Sequence, residues 1–156
     1  MNAKNQQKGF TIIEVVLVLA IAALIFLMIF IALPALQRAQ RDTARKQDQN
    51  KVATAITTWR GNHRGALPNL DDATVKTEFI NNYVDTLGQY NVDSDTIISS
   101  DAAPTTGTLS DEQVMIVTGH QCARDGNNAN LGDVSKRSAA VYIRLEASNA
   151  VVCSDA

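Results

Sequence analysis

A chain of 156 residues suits one domain, and its 46% hydrophobic content is ordinary until its distribution is considered: one N-terminal run holds so much of it that roughly 120 residues remain for a modest core. The formal charge of −2 hides an asymmetry, because residues 37–64 hold seven Lys or Arg against Asp42 and Asp48, a net of +5, whereas residues 65–156 hold five against thirteen acids, a net of −8. No nucleic-acid motif accompanies the basic stretch and Trp59 is its only Phe, Tyr or Trp, so DNA capture fits it worst. A solvated helix face, or complementarity between one chain's basic helix and its neighbours' acidic regions, fits it better.

Residues 10–33 are 24 residues whose only polar members are Thr11 and Glu14. As a helix they span about 36 Å, enough to cross a bilayer core of about 30 Å with some tilt. A secretory signal has a shorter apolar stretch, of about 7–15 residues, and Ala32-Leu33-Pro34-Ala35 is a poor cleavage site. A plain signal anchor would meet the same description but for Glu14. A carboxylate in a membrane helix costs about 2.5–3.5 kcal/mol on insertion scales and calls for a named partner. The available cation is an α-amino group: cutting between Gly9 and Phe10 creates one at Phe10, which has two candidate partners, the Glu14 of its own chain and, in an extended lattice, the Glu14 of a neighbouring helix.

Lys8-Gly9 followed by Phe10-Thr11-Ile12-Ile13-Glu14 resembles the type III signal of type IV pilins and related pseudopilins, with Gly, Phe, Glu and the apolar tail at that family's spacing. The resemblance covers residues 8–34; beyond them only the layout is similar. It implies that a prepilin peptidase cuts after Gly9 and methylates the new amino terminus at Phe10. It also implies that Glu14 assists assembly and register by pairing with a neighbour's terminal amine. The division that follows is a leader at 1–9, a transmembrane and filament-core helix at 10–36, and a globular head at 37–156 that includes the rest of the long helix. Removing the leader, which carries Lys4 and Lys8 and no acid, takes the net charge to −4.

Pro34 is similar to the family's helix-breaking proline, although it lies further from the cleavage site. Its missing donor and its clash with the preceding turn predict a kink or a loosened turn, with the helix resuming afterwards. Arg38, Arg41, Arg45, Lys46 and Lys51 follow the span and oppose the positive-inside tendency. The peptidase motif and the cysteines nevertheless place the N-terminus in the cytoplasm and the body outside.

Residues 35–60 lack Pro and Gly and are rich in Ala, Gln, Arg and Lys, which predicts helix, with Val52, Ile56 and Trp59 as a short apolar stripe facing the head. Gly61 and Gly65 mark the stop, and Leu67-Pro68-Asn69 reads as a turn. Asn69, Asp71 and Asp72 are N-cap candidates for a second helix, with Val75, Phe79, Ile80, Tyr83 and Val84 as its buried positions. Residues 88–110 read as a surface loop whose one firm apolar pair is Ile97-Ile98, with room for one short strand. Asn91, Asp93 and Asp95 alternate like the start of a calcium loop, but Thr96 replaces the required glycine and Ala102 the bidentate Glu, so a solvated acidic loop is the better reading.

The last third reads as sheet: residues 113–118, residues 139–145, with Val141, Ile143 and Leu145 alternating against Tyr142 and Arg144, and residues 150–153 after a turn at Ala147-Ser148-Asn149. Three or four antiparallel strands follow, one face packed on the Val52, Ile56 and Trp59 stripe. The fold class is therefore α+β, a long N-terminal transmembrane spine helix packed on a small antiparallel sheet, which the resemblance identifies with the type IV pilin fold.

Cys122 and Cys153 are the only cysteines. They would be free thiols in a cytosolic protein but can join in an exported one, and a bridge between them is similar to the disulfide-bounded C-terminal loop of many pilins. Neither His63 nor His120, read as loop or strand-end residues, sits in a metal-ligand pattern, and no nucleophile elbow or phosphate-cradling loop occurs. No catalytic residue, metal or cofactor is expected. The expected partners are further copies of the chain in a helical filament, the prepilin peptidase, the assembly platform and minor pilins, and the membrane before assembly. A pseudopilin and a monomeric membrane-anchored binding protein are the two alternatives.

Overall fold

The structure is a computed structural model that describes residues 9–84, 87–88, 90, 95–105, 107–123 and 130–156. The elements are α1 (Ile12–Asn62), α2 (Ala73–Tyr83), β1 (Ile97–Ser99), β2 (Val114–Cys122), β3 (Leu131–Arg144) and β4 (Val151–Asp155). They fall into two compact units, one ending at Gln37 and one comprising Arg38–Ala156.

In the first unit, α1 begins with a reciprocal cap. Thr11 donates its backbone N–H (2.9 Å) and its hydroxyl (2.8 Å) to Glu14 Oε2, and the Glu14 N–H donates to Thr11 Oγ1 at 3.4 Å. This is the Thr-x-x-Glu capping box, which satisfies donors that a helix N-terminus otherwise leaves open. α1 runs on through Pro34 as one helix, so the helix continues past the proline as expected. The ring removes the bond to the carbonyl of Phe30 at a cost of about 3 kcal/mol, which the intact turns on either side sustain.

In the second unit, α1 turns a mixed face inward: Asp42, Arg45, Asp48 and Gln49 are buried, then Val52, Ile56 and Trp59. The helix ends where Arg64 (φ 56°) and Gly65 (φ 88°) enter the left-handed region, with the Gly65 N–H donating to the Arg60 carbonyl at 2.8 Å. Of the three N-cap candidates, Asp72 is the cap of α2, accepting from the N–H groups of Thr74 (2.8 Å) and Val75 (3.3 Å). Phe79 and Ile80 are buried and Val75 and Tyr83 pack at the core's margin, as the spacing requires.

The four strands lie in the order β1-β2-β3-β4. β2, β3 and β4 are antiparallel, but the antiparallel expectation is corrected at the edge, where β1 pairs parallel to β2, so the sheet is mixed. The cause is the connection: after β1 the chain does not turn back in a hairpin, and Leu109 packs on the sheet before β2 begins, which leaves β2 running the same way as β1. The strands also outrun their sequence limits, because β2 continues through Gly119 (φ 80°) with irregular register around His120. His120 is therefore inside β2, not at its end.

Both faces of the sheet are covered. Val114, Ile116, Val141 and Ile143 pack with Val52, Ile56 and Trp59 of α1 and Phe79 of α2. On the other face Met115, Val117, Ala140 and Tyr142 pack with Leu109, Cys122 and Cys153. Tyr142, read from alternation as an outward position, is 0% exposed, and Leu109, in the stretch read as a surface loop, is 1% exposed. The loop that makes β1 and β2 parallel also supplies the lid for the second face.

Candidate assembly site

The first unit presents Phe10 (89% exposed), Ile12, Leu24, Phe26, Phe30, Leu36 and their apolar neighbours almost without cover. This is far more contiguous apolar surface than a soluble monomer displays, so it requires lipid or other helices around it. α1 is long and apolar enough to cross a membrane. Gly9 and Phe10 precede the helix and are exposed. Glu14 lies in the first turn of the helix, beside a hollow of about 300 Å³ lined by Phe10, Val15, Val18 and Leu19. Its Oε2 is committed to Thr11, while Oε1 makes no hydrogen bond among the described residues. Pro34 lies twenty residues further along the same helix.

The second unit holds the rest of α1 with polar pins. Asp42 accepts the N–H groups of Glu146 (2.7 Å) and Ala147 (3.0 Å) in the β3–β4 turn. Arg41 grips Glu146 with two bonds, from Nε at 2.7 Å and from Nη2 at 2.6 Å. Arg45 reaches Glu146 at 3.6 Å, Asp42 at 3.8 Å and the Arg144 carbonyl at 3.4 Å. The Arg41 guanidinium holds the Glu146 carboxyl below its ordinary range, and that carboxylate in turn raises Arg41. Gln49 donates to the carbonyls of Val141 (2.7 Å) and Val152 (3.1 Å), and Asp48 accepts the Gly88 N–H at 2.8 Å. Of the cations that follow the span, Arg41, Arg45 and Lys51 thus have carboxylate partners.

Cys122 and Cys153 form a disulfide with Cα atoms 5.8 Å apart, joining the end of β2 to the edge strand β4 across β3. Asp155 Oδ1 accepts the Cys122 N–H at 2.6 Å beside it. His63 stacks on Trp59 with ring centroids 3.8 Å apart, and no group of three His, Cys, Asp or Glu that could hold a metal occurs among the described residues. Of the calcium-loop candidates, Asn91 and Asp93 lie outside the described residues, and Asp95 is in an exposed turn. A hollow of about 750 Å³ beside α1 and α2 is lined by amides and hydroxyls such as Asn50, Thr54, Asn62 and Tyr83, with no paired acid and base.

The family model for the prokaryotic N-terminal methylation motif matches residues 4–30. The chain carries a type IV pilin-like prepilin signal. Neither a curated protein nor a solved structure matches the chain. The prepilin signal includes Gly9, Phe10, Thr11 and Glu14, and it supports reading the chain as the precursor of a pilin-like or pseudopilin subunit. Within it, sequence reasoning named Glu14 but not Thr11 as its partner, although a Thr three residues before a Glu ahead of an apolar run is the capping signature. Arg41 and Glu146, far apart in the chain, offered no such local signal.

Proposed function

We propose that the protein is a structural subunit of a type IV pilus filament. The observation that carries the reading is the prepilin signal at the head of an exposed apolar helix, since a monomeric membrane-anchored binding protein needs no such motif. On this reading the precursor spans the membrane with its N-terminus in the cytoplasm. Prepilin peptidase removes residues 1–9 and methylates Phe10. The apolar helices then pack together through the assembly platform, with minor pilins, and the α+β heads lie on the outside. The disulfide between Cys122 and Cys153 favours a pilin over a pseudopilin and fits an oxidising compartment.

Glu14 has two jobs here. Oε2 caps its own helix, and Oε1 is open to the methylated amine of a neighbouring Phe10, so register is set by the penalty on an unpaired carboxylate. Pro34 gives the core helix one turn short of a hydrogen bond, where it can bend on packing. Two variants test the reading, and Glu14→Gln isolates the charge. Glu14→Gln keeps an acceptor for Thr11 but loses the charge, and Glu14→Ala loses both. Both should insert in the membrane and yield few filaments; a normal filament yield from Glu14→Gln would show that charge does not set register.

A further inference from the structure

Three guanidinium groups act on one carboxylate at the start of the second unit. Arg41 holds Glu146 through two bonds, Arg45 lies 3.6 Å from it, and the positive charge of Arg38 is felt at the same group. Asp42 is the other acid in contact, 3.8 Å from Arg45, so three cations face two anions and one positive charge is left over. The surplus is on the outside. Arg45 is 9% exposed, whereas Arg41 keeps 41% of its side chain in the open, and Arg38 is exposed with no hydrogen bond or ion pair among the described residues.

Position adds to charge. Leu36 is the last apolar residue of the run and Gln37 alone separates it from Arg38, so a helix that spans the bilayer brings Arg38 to the level of the lipid phosphates. Guanidinium forks suit phosphate as they suit carboxylate, two parallel N–H donors to two oxygens. We infer that Arg38 and the open side of Arg41 bind the phosphate of an anionic phospholipid at the end of the membrane span, and that Glu146 is the intramolecular competitor for that site. The leftover charge selects an anionic headgroup over a zwitterionic one. This inference rests on the reading that residues 10–36 span the membrane.

The test uses the full chain in nanodiscs of equimolar phosphatidylcholine and phosphatidylglycerol, ejected intact and weighed with its retained lipids. The wild type should retain phosphatidylglycerol in excess. Arg38→Gln should cut that excess about fivefold, the worth of one cation at an anionic surface. Glu146→Gln, which frees Arg41, should raise it, and Arg64→Gln, at the far end of α1, should leave it unchanged. Equal retention by wild type and Arg38→Gln would overturn the site and leave Arg38 for the acidic surface of a neighbouring protein. A chain that fails to enter nanodiscs of any composition would overturn the spanning reading as well, so the two failures are distinguishable.

Discussion

Removing the disulfide gives the most quantitative test of how the second unit is held together. Cys122 and Cys153 are 31 residues apart, and on the chain-entropy relation a closed loop of that size restricts the unfolded chain by about 4 kcal/mol at 25 °C. The double variant Cys122→Ala, Cys153→Ala should lose most of this, because the bridge is what ties β4, the edge strand, to β2 across β3. Both cysteines also pack against the second apolar cluster, so their loss opens a gap there and adds to the effect. The assay is urea unfolding of the full chain in a nonionic detergent, followed by the fluorescence of Trp59, which is the sole tryptophan and is 4% exposed. A destabilisation of about 3–4 kcal/mol supports the account. A loss under about 1 kcal/mol, with the slope unchanged, would refute the idea that the bridge restricts the unfolded chain.

Three further outcomes are expected. Ile56 is 0% exposed between helix and sheet, so Ile56→Ala should cost about 3–4 kcal/mol in the same urea assay, and a loss below about 1 would contradict the packing described. Gly61 and Gly65 both have open space around the position of a Cβ, yet Gly61 is helical and Gly65 has φ 88°; Gly61→Ala should stabilise by up to about 1 kcal/mol and Gly65→Ala destabilise by about 1–2, and effects of the same sign would reject the helix stop placed between them. Arg41 depresses the carboxyl of Glu146, so the stability that this pair contributes is fully present above the ordinary carboxyl value of 4.5 and is lost as pH falls through the lower folded value. Urea midpoints of wild type and Glu146→Gln should therefore converge toward pH 3, and a constant gap from pH 7 downward would remove Glu146 from the acid limb.

The sequence was legible where one local rule decides the outcome. The apolar run, Glu14 inside it, the cap at Asp72 and the stripe of Val52, Ile56 and Trp59 each depend on residues a few positions apart. The buried polar layer was not legible, because Asp42, Arg45, Asp48 and Gln49 look like a solvated helix face until the carbonyls and N–H groups they meet are known. Tyr142 was misread for a related reason: alternation gives one face of a strand to the core, and only the return of Leu109 over the sheet covers the other. The parallel pairing of β1 has the same origin, since the path of residues 100–113 is not written in Ile97 and Ile98 themselves. The basic stretch after the span changes meaning as well. Read as free charge it opposes the expected orientation, but three of its cations face acids within the folded unit.

Intact-mass measurement of the protein in sheared surface filaments, before and after reduction, tests the central claim most directly. The account predicts a chain that begins at N-methylated Phe10 and is lighter by two hydrogens before reduction, which reports processing, filament membership and the disulfide together. A chain that still carries residues 1–9 and is found only in membranes would contradict it.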